Sequence, residues 1–183
     1  MRDGLVMFTA VTVSIPERHE SLARAGASLR AQTYGPVPWL VRVEEPPVFG
    51  VAHVVSQRRA LLPAVQTPWM AVLDDDDTLA PTYLERVAEA IANDPRAAVV
   101  YTFCCGHAHT EGAFDADRLQ RENYIDGEAV ISMEWLQRAG GYPDGPIVED
   151  WQLWKRIDAL GGRFVCVPER LRFHGRAARN VTN

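Results

Sequence analysis

The feature that most constrains this chain is the run Val72-Leu73-Asp74-Asp75-Asp76-Asp77-Thr78-Leu79. An apolar segment, Trp69 to Leu73, leads into it and reads as a buried strand; Ala80-Pro81 and a helical pattern follow. Carboxylates crowded at the end of such a strand repel one another and raise each other's pKa where water is scarce. A fold that keeps four of them needs compensating positive charge, and a divalent cation carrying a phosphorylated ligand supplies it. The alternative is that acidic residues favour the positive end of the helix opened by Pro81, for which one or two carboxylates suffice. A calcium loop counted from Asp74 fails. Its sixth position is Leu79, where the sharp turn needs Gly, Pro81 falls at its eighth, and the preceding segment is strand-like.

The rest of the chain alternates strand and helix around this run. Met7 to Ile15, rich in Val and Thr, reads as a buried strand, and Pro16 starts a helix with Leu22, Ala25 and Leu29 on one face. Trp39 to Val43 is a second strand, closed by Glu44-Glu45-Pro46-Pro47, and Val51 to about Leu62 is a helix carrying Gln57, Arg58 and Arg59. Trp69 to Leu73 is the third strand. Pro81 to Ala92 is an amphipathic helix with Leu84, Val87, Ala88 and Ile91 along one stripe, and Ala97 to Cys105 is the fourth strand. Such alternation implies right-handed crossovers and a largely parallel sheet. Ligands of such sheets bind beyond the carboxyl ends of the strands, where Ser14-Ile15-Pro16, Glu44-Glu45 and the Asp run all fall.

The second half is less regular. Gly106 to Asn123 reads as a polar loop, Ser132 to Arg138 as a short helix, and Glu149 to Leu160 as an amphipathic helix ended by Gly161-Gly162. Phe164 to Val167 is a strand and Leu171 to His174 a candidate last one. The chain of 183 residues shows no repeat or linker and is expected to form a single domain. Its net charge of −5 argues against nucleic acid held by a general electrostatic footprint. Three cysteines, two adjacent, are no disulfide framework, and Leu5 to Ile15 is too short and polar for a membrane span or signal peptide, so a cytoplasmic protein is expected. Cys104, Cys105, His107 and His109 match no common zinc spacing, and adjacent Cys on a strand point to opposite faces.

Several of these elements together resemble a family 2 glycosyltransferase with the GT-A fold. The run Val72 to Pro81 is similar to that family's strand, DXD-type motif and following helix. Gly140-Gly141-Tyr142, Glu149-Asp150-Trp151 and Trp154-Lys155-Arg156 resemble its glycine pair, ED motif and helix with a basic residue one turn on. Gly161 to Phe164, Val167-Pro168-Glu169 and Leu171 to His174 resemble the segment that closes the catalytic domain, and Arg58-Arg59 through Trp69 fits the helix before the Asp-rich strand. Two positions depart from the family: Glu44-Glu45-Pro46-Pro47 stands where an Asp-rich turn contacts the nucleobase, and Arg59 where Asn is common.

The resemblance implies a GT-A-type, Rossmann-like α/β sandwich with a mostly parallel central sheet and helices on both faces. It implies Mg or Mn held by Asp74 and Asp76, with His174 a further candidate ligand. Asp75, Arg58, Glu44, Glu45, Ile15 and Pro16 would then meet a UDP-, GDP- or TDP-sugar, and Asp77 would orient the site or cap a helix. Asp150 would be the general base toward an acceptor hydroxyl in an inverting transfer, and Glu149 its support. For Glu149 and Asp150 the alternative is simple complementarity to a helix N-terminus. Trp151 and Trp154 read as core, and Trp135 or Tyr142 as candidates to stack on a sugar. A protein of the same fold that binds a nucleotide sugar without turnover would keep the Asp run but not need Asp150. A nucleotidyltransferase would want a Gly-rich loop after the first strand, which Ser14 to Arg18 is not.

Overall fold

The structure, a computed structural model, is described for residues 7–44, 51–105, 112–143 and 149–175. Glu45, His107 and His109 lie outside the described residues. Val-, Thr- and aromatic-rich segments form the strands, as their β-branched side chains favour: β1 (Phe8–Ser14), β2 (Trp39–Val43), β3 (Trp69–Val72), β4 (Thr78–Leu79), β5 (Ala97–Cys105), β6 (Val130–Ser132) and β7 (Arg163–Phe173). The helices are α1 (His19–Arg30), α2 (Val51–Leu61), α3 (Tyr83–Asn93), α4 (Ala116–Arg121), α5 (Met133–Arg138) and α6 (Glu149–Ala159).

The seven strands form one sheet in the order β2-β1-β3-β6-β5-β7-β4. β1 runs parallel to β2 and β3, and β5 parallel to β7, while β6 is antiparallel to both β3 and β5 and β4 antiparallel to β7. β1, β2, β3, β5 and β7 therefore point one way, so the expected mostly parallel sheet is present, with β6 inserted against it. Alternate strand residues feed two cores. Phe8, Ala10, Ala71 and Val100 pack with Leu29 of α1 and Leu84 and Val87 of α3; Val11, Val72, Val99 and Ile131 pack with Val55 of α2, Leu119 of α4, Leu136 of α5 and Trp154 of α6. Helices thus cover both faces, as the period of two along the strands requires.

Four local readings change. β4 and β6, two and three residues long, are too short to show alternation, and Ser132 ends β6 rather than starting a helix. The polar stretch before Asn123 contains α4, whose N-cap Asp115 accepts from the Arg118 amide at 2.9 Å. The two candidate strands at the end are one, β7, whose pairing slips between Thr102↔Val167 and Phe103↔Arg170. Pro168 sits in that slip, where a residue without an amide hydrogen costs no ladder bond.

α6 ends at Gly161-Gly162, where the Gly162 amide bonds Ile157 O at 2.8 Å. A β-carbon on Gly162 would meet Ile157 Cγ2 at 2.3 Å and Ile157 O at 2.8 Å. Because a backbone oxygen cannot swing aside, Gly162→Ala should cost about 1–3 kcal/mol of stability, read as a lower urea midpoint at unchanged m-value.

Candidate functional site

The carboxyl ends of β1, β2 and β3 lie side by side. The Glu44 amide bonds Ser14 O at 3.0 Å, and the Leu73 amide bonds Val11 O at 3.0 Å, delivering the Asp run beside Ser14. Pro16 opens a 3-10 turn, Pro16–Arg18, closed by the Arg18 amide on Ile15 O at 3.0 Å. The turn carries Arg18 back over the strand end. Its guanidinium donates to Asp75 Oδ1 at 2.7 Å while Ser14 Oγ donates to Asp75 Oδ2 at 2.6 Å.

The four carboxylates sort by partner. Asp75 and Asp77 are buried, each held by protein donors; Asp74 is half-exposed, and the Asp76 side chain, 10% exposed, is mostly buried beside Arg18. Asp77 Oδ1 accepts from the Gly175 amide at 2.9 Å and lies 3.0 Å from His174 Nδ1. Asp74 Oδ1 accepts from Arg58 at 2.9 Å. Asp76 has one ion pair, 3.8 Å from Arg18, and no side-chain hydrogen bond among the described residues. The expectation that the run lacks compensating charge is thus corrected: arginines from two other elements neutralise much of it. Burial pushes the pKa of Asp75 and Asp76 above the usual carboxylate range, with Asp74 adding repulsion on Asp76.

Arg58, on α2 and only 4% exposed, joins this run to the second acidic group. Its other nitrogen lies 3.7 Å from Glu149 Oε1, and the guanidinium carbon sits 5.6 Å from the Tyr142 ring centre. Next to Glu149 at the start of α6, Asp150 takes its own helix amide, from Trp151, on Oδ1 at 2.7 Å, and the Asn123 amide nitrogen stands 3.3 Å from both its oxygens. Burial, then the charge of Glu149, pushes the Asp150 carboxyl up to about 6. The helix-terminus contact is therefore present, and so is a carboxyl poised to exchange a proton near neutrality.

Sequence reading missed the support beneath the run. Glu128, at the end of the loop before β6, accepts the Asp74 amide on Oε1 at 2.9 Å and faces Arg172 on Oε2 at 3.0 Å. Arg172 also pairs with Asp126, and Tyr83 donates to Glu128 O at 3.3 Å. Glu128 and Asp77 are in hydrogen-bonding contact, which two carboxyls reach only by sharing a proton; burial raises both. The only trace in the sequence is an acidic residue among apolar ones in Gly127-Glu128-Ala129-Val130.

The remaining expected residues fall as follows. Ile15 and Pro16 form the turn that aims Arg18. Glu44 lies at the end of β2, 3.5 Å from Arg42 and 3.6 Å from His53. His174 sits on Asp77, beside the run. Arg59 donates to Tyr142 O at 2.9 Å, fixing the turn that follows Gly140-Gly141. Trp154 is buried and bonds Ile125 O at 2.9 Å, and Trp151 bonds Leu119 O at 2.6 Å. Tyr142 is 2% exposed and offers no ring face.

No group of three His, Cys, Asp or Glu side chains among the described residues converges on an ion position. Mg and Mn, however, are commonly held by one or two carboxylates together with phosphate oxygens and water. Asp76, a hard oxygen donor whose side chain takes no hydrogen bond among the described residues, and half-exposed Asp74 beside it fit that pattern.

Comparison with known proteins agrees with this architecture. Residues 53–135 match the family described as glycosyl transferase family 2. Among solved structures, Staphylococcus aureus TarS superposes with a TM-score of 0.73 at 12% identity, over 93% of this chain and 37% of TarS. TarS 1-349 in complex with UDP-GlcNAc gives 0.74 at 12%, over 95% and 60%. The mannosyltransferase PcManGT from Pyrobaculum calidifontis, in complex with GDP-Man and Mn2+, gives 0.69 at 15%, over 95% and 58%. The chain therefore spans between about a third and three fifths of these proteins, and at such identities the likeness is one of fold. No curated protein matches it in sequence. The resemblance to family 2 glycosyltransferases and the GT-A-type fold hold.

Glu128→Ala would leave Arg172 with Asp126 alone and the Asp74 amide without its acceptor. Breaking a buried pair of this kind costs about 3–5 kcal/mol, so the variant should unfold at much lower urea, while Glu128→Gln, which keeps the acceptor oxygen, should lose less.

Proposed function

We propose that this chain, which resembles glycosyl transferase family 2 in fold and over residues 53–135, moves a sugar from a nucleotide-diphosphate sugar to an acceptor hydroxyl with inversion. The observation that carries the reading is the Arg58 bridge. One buried guanidinium touches Asp74 of the run and Glu149 beside Asp150, so a donor side and an acceptor side face each other across it. A protein that only binds a nucleotide sugar has no use for a second carboxyl held at raised pKa on the far side.

Asp76 and Asp74 are the residues that would hold Mg or Mn. Such an ion, when bound, neutralises the departing diphosphate as a Lewis acid. The neighbours in complex with UDP-GlcNAc and with GDP-Man and Mn2+ support a UDP-, GDP- or TDP-sugar as donor. Glu44, at the end of β2, reads the nucleobase or ribose, and Arg18 fixes Asp75 for the same donor. Asp150 accepts the proton of the acceptor hydroxyl as that oxygen bonds the anomeric carbon; the bond to the diphosphate oxygen breaks, and its electron pair leaves with the nucleotide. Asn123 and the Trp151 amide aim the carboxylate, and Arg58 pairs with Glu149 beside it. The whole chain acts as one domain in this reading.

Titration calorimetry of UDP and GDP with Mn tests the donor side. Asp76→Ala or EDTA should weaken binding at least tenfold, and Glu44→Ala should change the UDP-to-GDP affinity ratio; unchanged affinities in all three would remove the assignment.

A carboxyl serves as base only when ionised, so with Asp150 near 6 turnover should rise as pH climbs through about 6 and level off above it. General-base help is worth about 10²–10⁴ in rate, so Asp150→Asn should lose that much turnover and the pH step, with diphosphate affinity kept. An α-linked donor should give a β-linked product by anomeric proton coupling; a retained anomer or a fully active Asp150→Asn contradicts the base.

A further inference from the structure

Gly127, in the loop that leads into β6, lies against the Asp150 carboxyl. A β-carbon there would stand 3.1 Å from Asp150 Oδ2, 3.3 Å from Asp150 Cβ and 3.5 Å from Asp150 Cγ. Apart from the adjoining residues, no other atom of the described chain comes nearer. The φ of Gly127 lies outside the left-handed region, so its backbone would accept alanine without strain. What leaves no room for a side chain is therefore the carboxyl, not the turn.

The loop is also held from behind. The Ala129 amide closes a turn over Gly127 on Asp126 O at 3.1 Å, Ile125 O accepts the Trp154 indole at 2.9 Å, and Glu128 Oε1 accepts the Asp74 amide at 2.9 Å. Tyr124 and Ile125 are buried. A methyl group on Gly127 would thus be accommodated by the free end of the Asp150 side chain rather than by the loop. Turning that end takes Oδ1 off the Trp151 amide, now at 2.7 Å, and both oxygens off the Asn123 amide nitrogen, now at 3.3 Å. We propose that Gly127 is a positioning residue for the candidate base: the bare backbone of the turn 126–129 is the wall against which the Asp150 carboxyl rests, aimed by its two donors. That Asp150 acts as a base rests on the transferase reading; the wall does not.

The test is a double-mutant cycle of Gly127→Ala and Asp150→Ala followed by urea unfolding. Gly127→Ala should lower the urea midpoint in the native background and recover most of that loss in Asp150→Ala, where Oδ2 and Cγ are gone. What alanine does to the unfolded chain is the same in both backgrounds and cancels. An equal loss in both, or no loss in either, overturns the wall. Should Gly127→Ala fail to fold, folding of the double variant upholds the contact, and its failure to fold overturns it. A carboxyl moved off its donors loses bonds that favour its ionised form. Titration of the aspartate carboxyls by carbon NMR, with the Asp150 signal identified by its loss in Asp150→Asn, should therefore show its midpoint moving upward from about 6 in Gly127→Ala. With a donor that turns over, the pH step in turnover should move the same way. Turnover should fall about tenfold, since a misplacement of about 1 Å costs about a hundredfold and a smaller one less. The Kd for UDP or GDP with Mn should stay unchanged. A chain whose titration moves as stated yet transfers no sugar keeps the wall and overturns the transferase reading. Transfer at the wild-type rate by Gly127→Ala, with an unmoved titration, does the reverse.

Discussion

A guanidinium buried between two acidic groups is the contact on which the candidate site depends. Arg58 reaches Asp74 at 2.9 Å and Glu149 at 3.7 Å from a helix that belongs to neither. Each carboxylate near it would be costly in a dry cleft without a counter-charge, and Arg58 would be costly without them. The three groups are therefore stable only together, and their association brings the end of β3 and the start of α6 into one place. Arg18 does the same for β1 and the run, and Arg172 for β7 and the loop that carries Glu128. Three arginines from three separate elements converge on one cluster of carboxyls.

That arrangement divides four consecutive aspartates into two kinds. Asp75 and Asp77 face inward, where Ser14, Arg18, the Gly175 amide and His174 engage them. Asp74 is half-exposed, while Asp76 is mostly buried beside Arg18 and its side chain forms no hydrogen bond among the described residues. The run is a turn, closed by the Asp77 amide on Asp74 O at 3.2 Å, which sends its side chains to different partners. Asp75 and Asp77 are tied to protein donors, while the Asp76 carboxylate takes no hydrogen bond from the described residues.

Asp150 is tuned by different means. Among the described residues no arginine hydrogen-bonds it; an amide, an asparagine and a like charge surround it, and burial lifts its pKa. A carboxyl so placed can exchange its proton near neutral pH, whereas Asp75, tied to Arg18 and Ser14, is committed to holding its place.

What this sequence settled unaided was whatever rests on local pattern. β-branched runs marked β1, β2 and β5, an apolar segment marked β3, the stripe Leu84-Val87-Ile91 marked α3, and the Asp run after β3 marked the candidate site, because period and composition act between near neighbours. Strands of two or three residues, β4 and β6, carry no period and exist only because β7, β3 and β5 offer them partners. The counter-charges were equally hidden. Arg18 lies 57 positions from Asp75, and Glu128 lies 54 from Asp74. Apart from the apolar neighbours of Glu128, nothing in the chain's order distinguishes these residues from solvated charges. Only the folded sheet, by setting the ends of β1 and β3 beside the loop before β6, determined which charges meet, and with that which aspartates remain available to a ligand.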